Sequence, residues 1–332
     1  MYAMVARLES FCIAMAIAAQ KGMKIWQANF VSAYLNSDCQ YDVYIELPPG
    51  FAPQGEDNED GIAPQVERSE REQGDNEEHV LVEGGELGDN EEHILLLLKT
   101  VYGMMKGAYD WFYLLDDAFA TLEYYQSKAD LCVQSRLING EYTLTSTHTD
   151  DIFGVSTTED GTTEAKAELD CCFEIKDLGT PSIILGMKIS QDSVIGLISL
   201  TQKVYLERML ECFGMADCNP KSTPLPPGID ISNNLCPKTE EDRLFMIDKP
   251  YCSALGGLMW AQVVICPDLS YTVNTLVRFR TKPGPGHWKA LMHVYAYVRG
   301  TLDYTITYYR GSDETLKPVR YVDANYGGDS GT

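Results

Sequence analysis

The chain has 332 residues, 45% of them hydrophobic, so it can bury a substantial core and has room for two or three subdomains. No apolar run reaches the roughly 18 residues that crossing a bilayer requires, and Arg7 and Glu9 interrupt the opening segment where a signal peptide would be apolar. The formal charge of −23 opposes tight binding to a phosphate backbone, although a locally basic channel on an acidic protein remains compatible with it.

The expectation is therefore an intracellular protein without a membrane partner, its compartment, cytoplasmic or nuclear, and its oligomeric state left open. Ten cysteines, including the vicinal pair Cys171-Cys172, show no paired spacing for zinc. Without a secretion signal they read as reduced thiols, most of them small buried hydrophobes.

In chain order, Leu8 to Ala19 reads as a helix with Gly22 just past its end as a stop, and Ile25 to Tyr34 as a strand. From Gln54 to His93, 15 Asp and Glu stand against 2 Arg, so −13 of the charge lies in 40 residues and −10 in the rest. High charge and low apolar content predict disorder for Gln54 to Glu78, as a tolerated insertion or a partner-binding arm. Within it Gly74 to Val82 is duplicated as Gly88 to Leu96, which makes Val80 to Val82 and Ile94 to Leu97 competing copies of one strand. Trp111 to Tyr125 is helical, with Asp116-Asp117 on a solvated face.

Tyr142 to Thr147 and Ile152 to Ser156 are strands joined by a turn that holds Asp150 and Asp151. Thr163 to Cys172 follows as a helix, Ser182 to Ser190 and Val194 to Leu200 as strands, and Lys203 to Phe213 as a helix with an apolar stripe. Cys218 to Pro237, with five prolines, is a linker. Three helices are expected at Tyr251 to Val264, Leu269 to Thr281 and Gly286 to Gly300, and strands at Tyr304 to Tyr309 and Val319 to Asp323.

The Asp150-Asp151 doublet is the strongest chemical signal. A tight hairpin projects neighbouring carboxylates from a stiff scaffold, and hard divalent cations prefer oxygen ligands. Aspartate also suits a hairpin turn through its own backbone hydrogen bonds, so the doublet alone does not decide. His79, His93, His148, His287 and His293 form no metal-binding spacing, and no glycine-rich phosphate loop is present.

What decides is the order of the surrounding segments. Val5 to Ser10, Gln27 to Asn36, Val43 to Phe51, Val101 to Met104, Phe173 to Gly179, Ile184 to Met187, Tyr251 to Met259, Pro267 to Tyr271, His287 to Ala290 and Gly300 to Tyr304 resemble, collinearly, the reverse transcriptase segment of copia-type LTR retrotransposon Pol polyproteins.

The resemblance implies an α+β, right-hand polymerase fold. Residues 1–53 would form partial fingers and palm, 54–93 the acidic insertion, and 94–200 the palm with its hairpin. Residues 201–302 would form a helical thumb and connection, and 303–332 the first strands of a ribonuclease H-like domain.

It further implies an RNA-directed DNA polymerase, a nucleotidyltransferase using two Mg2+ ions, an RNA or DNA template-primer and dNTPs. Asp150 and Asp151 would be metal ligands, with the family's third carboxylate replaced here by Asn29. Tyr34 stands where the family places an aromatic under the incoming sugar, a position that suits core packing equally. Lys106 replaces the commoner Gln and could meet phosphate or be ordinary surface. Asp323 matches the first carboxylate of the ribonuclease H site, which is expected to be incomplete because the chain stops nine residues later. Asn29, the absence of upstream finger strands and the short tail together point to an impaired or inactive copy, with a nucleic-acid or protein interaction module as the alternative.

Overall fold

A computed structural model of the chain describes residues 5–46, 82–85, 94–104, 106–192, 196–311 and 319. Most of the acidic segment, including the stretch expected to be disordered, lies outside the described residues, as does Asp323. The chain divides into two compact units, residues 1–14 with 24–180 and residues 15–23 with 181–332. The first boundary falls within helix α1 (Leu8–Lys21), and the second within the segment 94–200 that the resemblance assigns to the palm.

The first unit is built on a six-stranded antiparallel sheet in the order β5-β6-β7-β8-β1-β9. Its members are β1 (Lys24–Phe30), β5 (Tyr125–Gln126), β6 (Val133–Ile138), β7 (Glu141–His148), β8 (Asp151–Ser156) and β9 (Ile175–Gly179). A smaller sheet pairs β2 (Tyr44–Glu46), β4 (Ile94–Leu97) and β3 (Val82–Gly85) in that order. Ile94–Leu97 of the second copy forms β4, whereas Val80 and Leu81 of the first lie outside the described residues and only Val82 belongs to β3, opposite Leu97.

Side chains alternate across β1. Trp26, Ala28 and Phe30 face a core shared with helices α2 (Gly107–Thr121) and α3 (Glu159–Cys172), through Trp111, Leu115, Phe119, Ala165 and Leu169. Helix α3 starts where the Thr158 hydroxyl accepts from Gly161 N at 3.0 Å, and Glu159 and Asp160 in its first turn suit the positive helix end. Arg136 and Glu168 pair through both nitrogens, at 2.8 and 2.7 Å, beside the Tyr124 ring, which fixes α3 on the sheet. On the opposite face Phe11 of α1 meets Phe153 edge-on at 5.0 Å.

The second unit contains a four-stranded sheet, β10 (Ile183–Ile184), β11 (Met187–Asp192), β12 (Leu197–Thr201) and β13 (Ile306–Tyr308). The single strand expected over Ser182 to Ser190 is a hairpin instead. Leu185 and Gly186 both have positive φ (48° and 75°), which turns the chain back within two residues.

Helices α4 (Lys203–Cys212), α5 (Glu240–Ile247), α6 (Tyr251–Val264), α7 (Ser270–Val277) and α8 (Pro285–Gly300) enclose a core of Leu206, Leu210, Leu255, Leu258, Leu276, Leu291 and Tyr295 among others. The proline-rich linker runs against α8, held by Lys221 N to Ala296 O at 3.0 Å and the His293 ring to Thr223 O at 3.1 Å. No helix among the described residues is long and apolar enough to cross a membrane.

His287 is fully buried at the start of α8, its Nδ1 accepting from Gly284 N at 3.1 Å and its ring stacked on Phe279. Burial lowers its pKa below the usual 6.5, so the folded state favours the neutral ring, which alone can accept that bond. The stabilisation is complete above pH 6.5 and is lost as the pH falls from there through the lower folded value. Denaturant unfolding should show weaker stability at pH 5 than at pH 7.5, with a smaller difference in His287→Gln. Equal pH dependence in the two proteins would remove His287 as the cause.

Candidate functional site

Two residues, Thr149 and Asp150, connect β7 to β8. Thr149 has φ 61°, a left-handed conformation that a β-branched residue rarely adopts without support. Two hydrogen bonds support it: Trp111 Nε1 donates to Thr149 O at 2.9 Å, and Phe30 N donates to Asp150 O at 2.7 Å. A helix and a neighbouring strand thus clamp successive carbonyls of the turn.

Asp151 opens β8 and lies directly opposite Asn29 of β1, so both side chains emerge on the same face of the sheet. That face is the one away from Trp26 and Ala28. Asp151 is exposed, while Asn29 and Asp150 are half-buried. Asn29 Nδ2 donates to Asp151 Oδ1 at 3.2 Å, although the two residues are 122 positions apart in the sequence.

Tyr34 does not continue the strand. Ser32, at φ 48°, breaks β1 into a short 3-10 helix over Ala33–Asn36, and this turns the Tyr34 ring inward beneath the hairpin. The ring packs on Tyr102 with centroids 4.4 Å apart. Burial raises the Tyr34 pKa above its usual 10, opposed by a hydrogen bond with Thr149 and reinforced by the Asp150 charge. The Tyr102 hydroxyl is raised as well, by burial first and then by the Asp150 charge.

Lys106 precedes α2 and is exposed, with its ammonium 3.3 Å from the centroid of the Tyr41 ring. Its charge rests on an aromatic face.

Trp111, Tyr102 and Thr149 belong to this site and were not singled out in the sequence. Trp111 reads there as an ordinary apolar helix residue. Tyr102 stands in the Val101 to Met104 match, before Gly103 at φ 95°, which is the signal that a tight turn presents it.

Two carboxylates and one carboxamide do not fit a site for two divalent ions. A bridging aspartate offers two charged oxygens, whereas Asn29 offers one neutral oxygen and directs its N–H group at the Asp151 oxygen that a cation would need. Among the described residues no group of three His, Cys, Asp or Glu side chains is arranged to hold a metal.

Residues 73–227 match the family described as reverse transcriptase (RNA-dependent DNA polymerase). The chain is 29% identical over 98% of its length to the retrovirus-related Pol polyprotein from transposon TNT 1-94 of Nicotiana tabacum, covering 22% of that protein. It is 25% identical over 97% of its length to the Pol polyprotein from transposon RE2 of Arabidopsis thaliana, covering 19% of it. A putative transposon Ty5-1 protein of Saccharomyces cerevisiae is 22% identical over 89% of the chain, which covers 82% of that protein. The chain thus spans about a fifth of the two plant polyproteins. No solved structure matches it.

Proposed function

We propose that this chain, which resembles the reverse transcriptase segment of copia-type retrotransposon Pol polyproteins over nearly its whole length, is a retroelement-derived polymerase core that engages template-primer and dNTP without extending the primer. The observation that carries this reading is the Asn29 amide bonded to Asp151 at the end of the hairpin. Phosphoryl transfer by two ions needs several anionic ligands against a combined charge of about +4. With Asn29 in place, one unit of that negative charge is missing.

In this reading Asp150 and Asp151 are the remaining carboxylates of a metal site in a family whose members use divalent ions. Tyr34, braced by Tyr102 under the turn, supports a place beneath the sugar of an incoming nucleotide. Lys106 is exposed and could exchange the Tyr41 face for a phosphate, as a point charge. The remaining capacity is that of a nucleic-acid binding module.

Primer extension in Mg2+, on RNA and on DNA templates, tests the reading. The chain and its Asp150→Ala, Asp151→Ala double variant should be equally silent. Extension by the chain above that control contradicts it.

A further inference from the structure

Of the ten cysteines only Cys132 is buried, against the expectation that most would be small buried hydrophobes, and none forms a disulfide. Cys171 and Cys172 alone are adjacent in the chain; both are exposed, and they are the last two residues of α3. We propose that this pair is a vicinal dithiol site for a trivalent arsenical, a soft electrophile that binds by bonding two sulfurs at once.

The end of α3 is held in place. Phe173 N donates to Leu169 O at 2.9 Å, and Ile175 N donates to Asp170 Oδ1 at 3.2 Å. The Phe173 ring meets those of Phe30 and Trp111 edge-on, at 5.8 and 5.1 Å. Two thiols on a fixed helix end meet a bridging atom without first ordering the chain. The second bond is then intramolecular, so the pair binds more strongly than either thiol alone.

Geometry and protonation narrow the ligand class. A direct S–S bond suits Cα atoms about 4.4–6.8 Å apart, whereas neighbours across a trans peptide are only about 3.8 Å apart. The pair therefore resists closing on itself, and an atom placed between the sulfurs lengthens the link. Zinc would want four ligands, its thiols deprotonated, and among the described residues no group of three His, Cys, Asp or Glu side chains is arranged to hold a metal. Partial burial raises the pKa of Cys172 above its usual 9.0, and the charges of Cys171 and Glu168 add to that, so this thiol stays protonated at neutral pH. An arsenical accepts neutral thiols. Each thiol gives its proton to a hydroxyl on arsenic, two As–S bonds replace two As–O bonds, and two waters leave with no change of oxidation state.

The test loads the folded full chain with phenylarsonous acid and follows it by intact-mass spectrometry in excess mercaptoethanol, a monothiol that strips arsenic from single cysteines. The chain should keep one phenylarsenic group and release it to dimercaptopropanol, whose paired thiols compete for both bonds. Cys171→Ser and Cys172→Ser should each lower retention by about 10²-fold or more, the loss of the intramolecular bond. Cys252→Ser, which removes an exposed cysteine with no neighbouring cysteine in the chain, should keep it. Proteolytic mapping of the loaded, unmodified chain should place the arsenic on the peptide carrying Cys171 and Cys172, without recourse to any variant. No retained group, retention that survives Cys171→Ser or Cys172→Ser, or arsenic mapped to other cysteines would overturn the proposal.

Discussion

Replacing Gly154 with alanine is expected to destabilise the first unit by about 3 kcal/mol, the upper part of the range for forced overpacking of a core. Gly154 lies opposite Trp26 in the β1–β8 pair. A Cβ built at Gly154 would sit 2.1 Å from Trp26 Cε2 and 2.2 Å from Cζ2. The ring has nowhere to go: it is 1% exposed, packed among core side chains, and its Nε1 donates to Ser156 Oγ at 3.1 Å. Accommodating the methyl group means moving a buried tryptophan or parting the two strands that place Asn29 and Asp151. Thermal unfolding of Gly154→Ala should show a melting temperature lower by roughly 6–12 °C for a unit of this size. An unchanged transition would show that Trp26 is not fixed as described.

The second large effect is a gain. Asn29→Asp is nearly isosteric, keeps the backbone register with Asp151, and replaces an N–H donor with a second charged oxygen at the same spot. In the absence of a cation the new carboxylate faces that of Asp151 and the two repel, so the variant should be slightly less stable. With a divalent ion the order reverses, since binding to the folded form stabilises it. Mg2+ should therefore raise the melting temperature of Asn29→Asp more than that of the unmodified chain. If the missing carboxylate is what blocks chemistry, extension should rise by about 10²-fold or more, the scale of a single group that stabilises developing charge.

Much of the site was legible because its signals are local and periodic. Alternating apolar residues on either side of Asp150-Asp151 predicted two strands, and β7 and β8 run within two residues of those bounds. The collinear order of short segments brought Asn29 into consideration with the Asp pair, which no periodicity could do. What escaped was set by backbone conformations that side-chain pattern does not encode. Ser32 in a left-handed conformation takes Tyr34 off the strand, and Leu185 in the same conformation folds one expected strand into a hairpin. Helix α5 was missed although Thr239 and Asp242 form a capping box at its start, because none of its residues is buried and its apolar stripe is weak. The clamp from Trp111 to Thr149 was invisible for another reason: it joins a helix to a turn 38 residues later, through a backbone carbonyl.

Magnesium-dependent primer extension, measured side by side for the chain, for Asn29→Asp, and for Asn29→Asp carrying Asp150→Ala and Asp151→Ala, tests the account at its centre. The expected result is extension by Asn29→Asp alone, with the other two at background. Extension by the unmodified chain that disappears when Asp150 and Asp151 are removed would contradict it, because two carboxylates and Asn29 would then suffice. A silent Asn29→Asp protein that melts as the unmodified chain does, with and without Mg2+, would equally contradict the claim that Asn29 is what separates this hairpin from a working metal site.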